Sequence, residues 1–143
     1  MDLSGPWRAA AATEELRRTF HEPDLDDRDW AEITVPGHWS SHPHLTEARS
    51  VLHRVDFGLD PLPAGRRRWL WLDGIAQQGD VWLDGAYVGD TEGYFVPHRF
   101  EITDLVGERD RHVLAIDVNC PRFSDPDNRT SLTGALQDPE LSG

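Results

Sequence analysis

The sequence predicts an all-β chain folded as a jelly-roll sandwich, and three observations carry that prediction. Short segments of alternating residue type recur between turn residues, an Asp84-Gly85 dipeptide joins two of them, and no stretch has the length and period of a long helix. Six or seven strands at such short intervals suit a two-layer β-sandwich of jelly-roll type. Ten prolines and twelve glycines fit many short strands and loops.

In chain order, a short first strand is expected around Pro6-Trp7-Arg8. Glu14 to Phe20 reads as a helical turn, with Leu16 and Phe20 four residues apart on one side. His21 to Arg28 is a polar, acidic loop, and Ile33-Thr34-Val35 is a short edge strand ended by Pro36. From Val51 to Leu59, Val55, Phe57 and Leu59 alternate with Arg54 and Asp56, the pattern of a half-buried strand. In Arg68 to Asp73, period two puts Leu70 and Leu72 on one face and Trp69 and Trp71 on the other. Both faces are apolar, so a further layer or another domain is expected over the tryptophans. In the next strand Val81 and Leu83 share a face, with Trp82 and Asp84 on the other. Asp84-Gly85 supplies the positive φ values of a tight turn, and Tyr87-Val88 resumes an extended pattern. His112 to Val118 is the last clear strand, with Leu114, Ile116 and Val118 inward and Asp117 outward. Residues 1–118 therefore form the sandwich, and 119–143 read as a loop or tail without alternation.

Length and composition bound the function. The 143 residues make one domain, and a hydrophobic fraction of 38% with 9% aromatics is that of a globular chain. A net charge of −12 excludes nucleic acid and anionic membranes as partners, because phosphates are repelled. All fourteen basic residues are Arg, to which we attach no functional meaning. No apolar run has the length of a membrane span, and Met1-Asp2-Leu3-Ser4 does not read as a secretory signal, so a cytoplasmic location is expected. The single cysteine, Cys120, has no internal partner and is read as a packing residue.

Several motifs, in order, resemble one family. They are LSGPWR at Leu3 to Arg8, DLDDRDWAEITVPGHW at Asp24 to Trp39, VLHRVDFGLDPLPAGRRRWLWLDGI at Val51 to Ile75, VWLDGAYVG at Val81 to Gly89, and FEITDLV at Phe100 to Val106. Together they are similar to the N-terminal jelly-roll domain of glycoside hydrolase family 2 enzymes, the β-galactosidases, β-glucuronidases and β-mannosidases. Asp84 stands where that family usually has Asn, and either residue suits the turn. The resemblance implies a galactose-binding-like fold that is non-catalytic. It also implies a partner, the catalytic barrel of a retaining glycosidase, which carries the acid/base and nucleophile glutamates. The Asn-Glu dipeptide of that acid/base does not occur in this chain, where Asn119 precedes Cys120 and Asn128 precedes Arg129. The chain is thus expected to be part of a longer enzyme or a shortened natural product, without its closing strand. No catalytic residue, cofactor or metal is expected within it.

The resemblance also implies candidate contacts. In galactosidase and glucuronidase relatives the loop after the last matched strand reaches the active-site mouth, and an acidic residue about six positions before a closing Gly touches substrate. Counting back from Gly134 reaches Asn128, with Asp125 and Asp127 beside it. An amide there hydrogen-bonds a sugar hydroxyl, whereas the plain alternative is a solvated loop.

From the residues alone, Trp69, Trp71 and Trp82 invite a second hypothesis, an autonomous carbohydrate-binding module in which adjacent strands line the tryptophans into a platform and Trp82 and Tyr94 stack on sugar. The competing reading is packing against a neighbouring layer. A third is an interaction domain that has lost its enzyme. His38, His42 and His44 have a spacing open to metal, but a loop with two prolines gives no rigid frame and is read as an ordinary loop. Asn128-Arg129-Thr130 is a formal sequon without a secretory context. The pairs Asp26 with Asp27 and Asp125 with Asp127 are read as solvated surface.

Overall fold

The computed structural model describes residues 1–75, 78–92, 97–119 and 136–142. Among these residues, nine strands and two short α-helices follow one another as β1 (Gly5–Ala11), α1 (Glu14–Thr19), β2 (Ala31–Val35), β3 (Ser50–Gly58), β4 (Trp69–Ile75), β5 (Gln78–Leu83), β6 (Ala86–Glu92), β7 (His98–Glu101), α2 (Thr103–Val106), β8 (Arg111–Asn119) and β9 (Leu136–Ser142), with one 3-10 turn at Trp39–Ser41 between β2 and β3. A six-stranded sheet runs β2-β1-β3-β8-β5-β6 and a three-stranded sheet runs β7-β4-β9. The described pairings are antiparallel. The all-β sandwich expected from the sequence is therefore the observed architecture.

Period two sets the core between the two sheets. Trp7, Val51, Phe57, Val81, Leu83, Leu114, Ile116 and Val118 come from the large sheet and meet Leu70 and Leu72 from the small one. Each of these side chains is buried. Trp7 keeps its indole satisfied by donating Nε1–H to the carbonyl of Leu3 at 2.8 Å. The hairpin lies where the sequence places it: Asp84 and Gly85 have φ of 52° and 85°, the two positive values of a type I′ turn. Asp84 also ties the turn to β8. Its carboxylate accepts the Val113 N–H at 2.8 Å and lies 2.6 Å from Nδ1 of buried His112.

The layers meet closely at Gly89 on β6. A Cβ built there stands 2.7 Å from Cε1 of Phe100 on β7, a ring that cannot swing aside as a flexible chain end does. Gly89→Ala is expected to lower stability by about 1–3 kcal/mol through overpacking. Urea unfolding checks this, and an unchanged midpoint would show that the Phe100 ring relocates freely.

Three features differ from the sequence expectation. First, β3 is not half-buried: Leu52 and Arg54, on its outer face, are 0% and 3% exposed. The cause is a third layer, in which α1 and the segment following it cover the large sheet. Phe20, Leu52 and Ala115 form a second apolar cluster, with Leu16, Leu25, Trp30 and Trp82 packed on it. Helix α1 has only six residues and is held by this packing, together with a Thr13 cap that accepts the Leu16 N–H at 3.0 Å. Second, a strand stands at Leu136–Ser142 inside the segment expected to have none. It pairs along β4 from Trp69↔Ser142 to Ile75↔Leu136. Pro139 is tolerated there because β9 is the edge of its sheet. Third, β4 and β5, adjacent in sequence, belong to different sheets, so Trp69 and Trp71 do not line up beside Trp82. Cys120 lies outside the described residues. No helix among the described residues is long and apolar enough to cross a membrane.

Candidate functional site

Of the residues singled out from the sequence, Asp125, Asp127, Asn128 and Tyr94 lie outside the described residues. Trp82 stands on the outer face of β5. His21 stacks on it, with ring centroids 5.5 Å apart at 29°, while Phe20 and Tyr87 meet it edge-on, each at 5.1 Å. Its indole thus joins the third layer to the sheet. Trp69 and Trp71 lie half-buried on the outer face of β4, and among the described residues one side chain lies over both rings. The Arg99 guanidinium of β7 sits 5.8 and 5.4 Å from the two ring centroids. Trp71 Nε1 is buried without a hydrogen-bond partner among the described residues.

The histidines of the 38–44 loop serve the backbone. His38 Nδ1 accepts the Ser40 N–H at 2.9 Å and His42 Nδ1 accepts the His44 N–H at 3.2 Å. Those nitrogens shape the turn beside Trp39, on which His38 stacks. Among the described residues no group of three or more His, Cys, Asp or Glu side chains is arranged to hold a metal ion.

The acidic pair at Asp26 and Asp27 divides. Asp26 is exposed and bidentate with Arg28 at 2.9 and 2.8 Å, and the Arg28 hydrogen bonds hold its carboxyl down at about 2. Asp27 is not solvated surface as expected. It accepts from Arg54 Nε at 2.9 Å, and Arg54 is almost wholly buried. The same guanidinium donates to the carbonyls of Phe20, Glu22 and Leu25. Arg54 is therefore a rivet through the third layer. A basic residue alternating with Val55 and Phe57 looks like a solvent-facing position, and only the covering segment reverses that.

Further along the same outer face, β5 and β8 bring polar side chains together in register. Gln78 faces Asn119, Asp80 faces Asp117 and Trp82 faces Ala115. Arg17 from α1 donates Nε–H to Asp117 Oδ2 at 3.1 Å. Burial pushes the Asp117 carboxyl above the ordinary carboxylate value against the pull of Arg17, and the neighbouring Asp80 charge adds to the rise. Asp117 Oδ1 is buried with no partner among the described residues. Tyr87 donates its hydroxyl to Asp80 Oδ1 at 3.0 Å. Sequence reasoning missed this grouping; the one local signal was Asp117 interrupting an otherwise apolar strand.

Comparison with known proteins agrees with the motifs. The family model described as glycosyl hydrolase 2 galactose-binding domain-like matches residues 43–135. The β-galactosidase of Streptococcus thermophilus is 28% identical over 142 residues, a match that covers 81% of this chain and 14% of that enzyme. The large subunit of the Leuconostoc lactis β-galactosidase is 26% identical, over 81% of this chain and 24% of that subunit. The chain therefore spans a minor part of the length of these relatives. Among solved structures, the β-glucuronidase of Bacteroides uniformis superposes with a TM-score of 0.75 at 19% identity, covering 99% of this chain and 17% of that one. That likeness carries the fold. The ordered motifs, the sandwich and the family match agree, and the chain belongs to the glycosyl hydrolase 2 galactose-binding domain-like family.

Proposed function

We propose that this chain is a non-catalytic domain of a glycosidase that hydrolyses O-glycosidic bonds, and that it packs on a catalytic barrel and helps shape the barrel's pocket. The observation that carries the reading is one of proportion: the chain aligns over 81% of its own length with only 14% of the Streptococcus thermophilus β-galactosidase. A fold alone fixes no function, so the step from family to role is by analogy. On the same reading the segment holding Asp125, Asp127 and Asn128 lends a polar contact to a sugar bound in the barrel.

The purified chain is expected to hydrolyse none of the nitrophenyl β-galactoside, β-glucuronide and β-mannoside. A retaining glycosidase needs two carboxyl groups about 5–5.5 Å apart across a scissile bond, and the Asn-Glu dipeptide that the family resemblance implies for the acid/base does not occur in this chain. Turnover that co-purifies with the chain and survives further chromatography would sink this reading.

A further inference from the structure

We propose that the outer face of the three-stranded sheet is the surface by which this domain docks on the rest of its parent enzyme. Arg99 is the anchor, and a carboxylate of that enzyme is the group it receives. Both statements rest on the glycosidase reading above. The domain covers only one of its two outer sheet faces with a layer of its own. Over the large sheet, Leu16, Leu25, Trp30 and Trp82 pack on Phe20, Leu52 and Ala115. Over the small sheet, β7-β4-β9, no such layer lies among the described residues, and Trp69 and Trp71 are left half-buried. Period two puts both indoles on one face of β4, and the register Trp71↔Arg99 brings the guanidinium of β7 across the two rings.

The chemistry of Arg99 defines what it receives. Contact with two rings already restricts the side chain, so less freedom is lost when a ligand fixes it. Its charge is uncompensated locally. Glu101, on the same face, is taken by Arg67 at 3.2 Å, and Arg99 itself has neither ion pair nor hydrogen bond among the described residues. Because the side chain is exposed, its donors are open to a group arriving from outside. A carboxylate matches the guanidinium fork with two parallel hydrogen bonds. Tryptophan and arginine are also the residue types that carry most of the binding energy at protein interfaces. The net charge of −12 repels nucleic acid, an anionic membrane and a second copy of this chain. The remainder of a longer polypeptide is held beside the domain by the chain connection, at a high effective concentration that outweighs such repulsion. Relatives possess that remainder: the matched region is 14% of the Streptococcus thermophilus β-galactosidase and 24% of the Leuconostoc lactis large subunit.

The test is covalent labelling of the isolated chain and of the native polypeptide that carries it, with each labelled site located by tandem mass spectrometry. Hydroxyl radicals report on Trp69 and Trp71, and phenylglyoxal reports on Arg99. In the isolated chain all three are expected to react, at rates independent of chain concentration. In the native polypeptide labelling of all three is expected to be lost and to return on denaturation. Equal labelling of both folded proteins would overturn the docking face, and if the native polypeptide hydrolyses a glycoside, the glycosidase reading still stands. Labelling already absent from the isolated chain, or protection that grows with its concentration, would overturn the proposal by naming the chain's own residues or a second copy as the cover. Protection of the rings alone, or of Arg99 alone, would overturn the joint anchor. A free 16.2 kDa native protein without glycosidase activity would remove both readings together.

Discussion

Arg54→Ala is expected to lower the stability of the chain by about 3–5 kcal/mol, the cost of opening a buried ion pair from one side. The guanidinium is 3% exposed and holds four acceptors: the Asp27 carboxylate, and the carbonyls of Phe20, Glu22 and Leu25. Truncation leaves these groups facing an apolar cluster of Phe20, Leu52 and Ala115. The loss is expected to be local first. Residues 14–28 lie outside the two sheets and keep only the packing around Phe20, the His21–Trp82 stack and the Arg17–Asp117 pair once Arg54 is gone, so their amides should exchange faster than those of β3 and β8. Arg54→Lys keeps a charge but has no fork to reach three carbonyls and a carboxylate at once, and is expected to recover only part of the loss. Urea unfolding with residue-resolved hydrogen exchange reads both effects. A loss under about 1 kcal/mol would mean that the third layer holds by apolar packing without its rivet.

Acidification is expected to destabilise the fold by an amount on the order of 3 kcal/mol through His53, at about 1.4 kcal/mol per unit of pKa shift. His53 is fully buried between the sheets. Burial lowers its pKa from the ordinary 6.5 to about 4, against the opposing pull of the Val51 and Ile116 backbone. Its Nδ1 lies 3.0 Å from the Val51 carbonyl and its Nε2 has no partner among the described residues. The unfolded chain therefore binds a proton that the folded chain refuses. The stabilisation is present above about 6.5 and is lost as pH falls towards about 4. Asp117 acts with the opposite sign: its raised pKa favours the folded state at acid pH, and that contribution fades as pH rises. His53→Gln is expected to flatten the stability profile between pH 7 and 4, read by urea midpoints at each pH. A wild-type midpoint that stays level across this range would contradict the assignment of acid sensitivity to His53.

The parts of the fold that were legible are those whose information is local. Asp84-Gly85 between two alternating segments specifies its own turn, and Leu114, Ile116 and Val118 announce an inward face without reference to any partner. What was not legible depends on neighbours distant in sequence. Arg54 alternates like a solvent residue and is buried only because Phe20 to Asp27 crosses over it. The strand at Leu136–Ser142 has no alternation of its own and becomes a strand by pairing with β4. The division of β4 and β5 between two sheets is likewise invisible in a run that reads as continuous extended chain. The same holds for the polar grouping on the large sheet. Asp80 and Asp117 are far apart in sequence and face each other only through the β5–β8 register, and Arg17 joins them from a helix whose own pattern points to Leu16 and Phe20. Trp82 was visible as a large aromatic on an outer face, but its stacking with His21 required the third layer.

If this domain works as part of a glycosidase, as proposed, the native polypeptide that carries it has that activity. An antibody raised against the purified 16.2 kDa chain would isolate that polypeptide from the cells that make it, for mass determination and for assay on nitrophenyl β-galactoside, β-glucuronide and β-mannoside. The expected result is hydrolysis of one of these, in a polypeptide or stable assembly several times heavier than the chain alone. A free 16.2 kDa protein with no associated glycosidase activity would contradict the account.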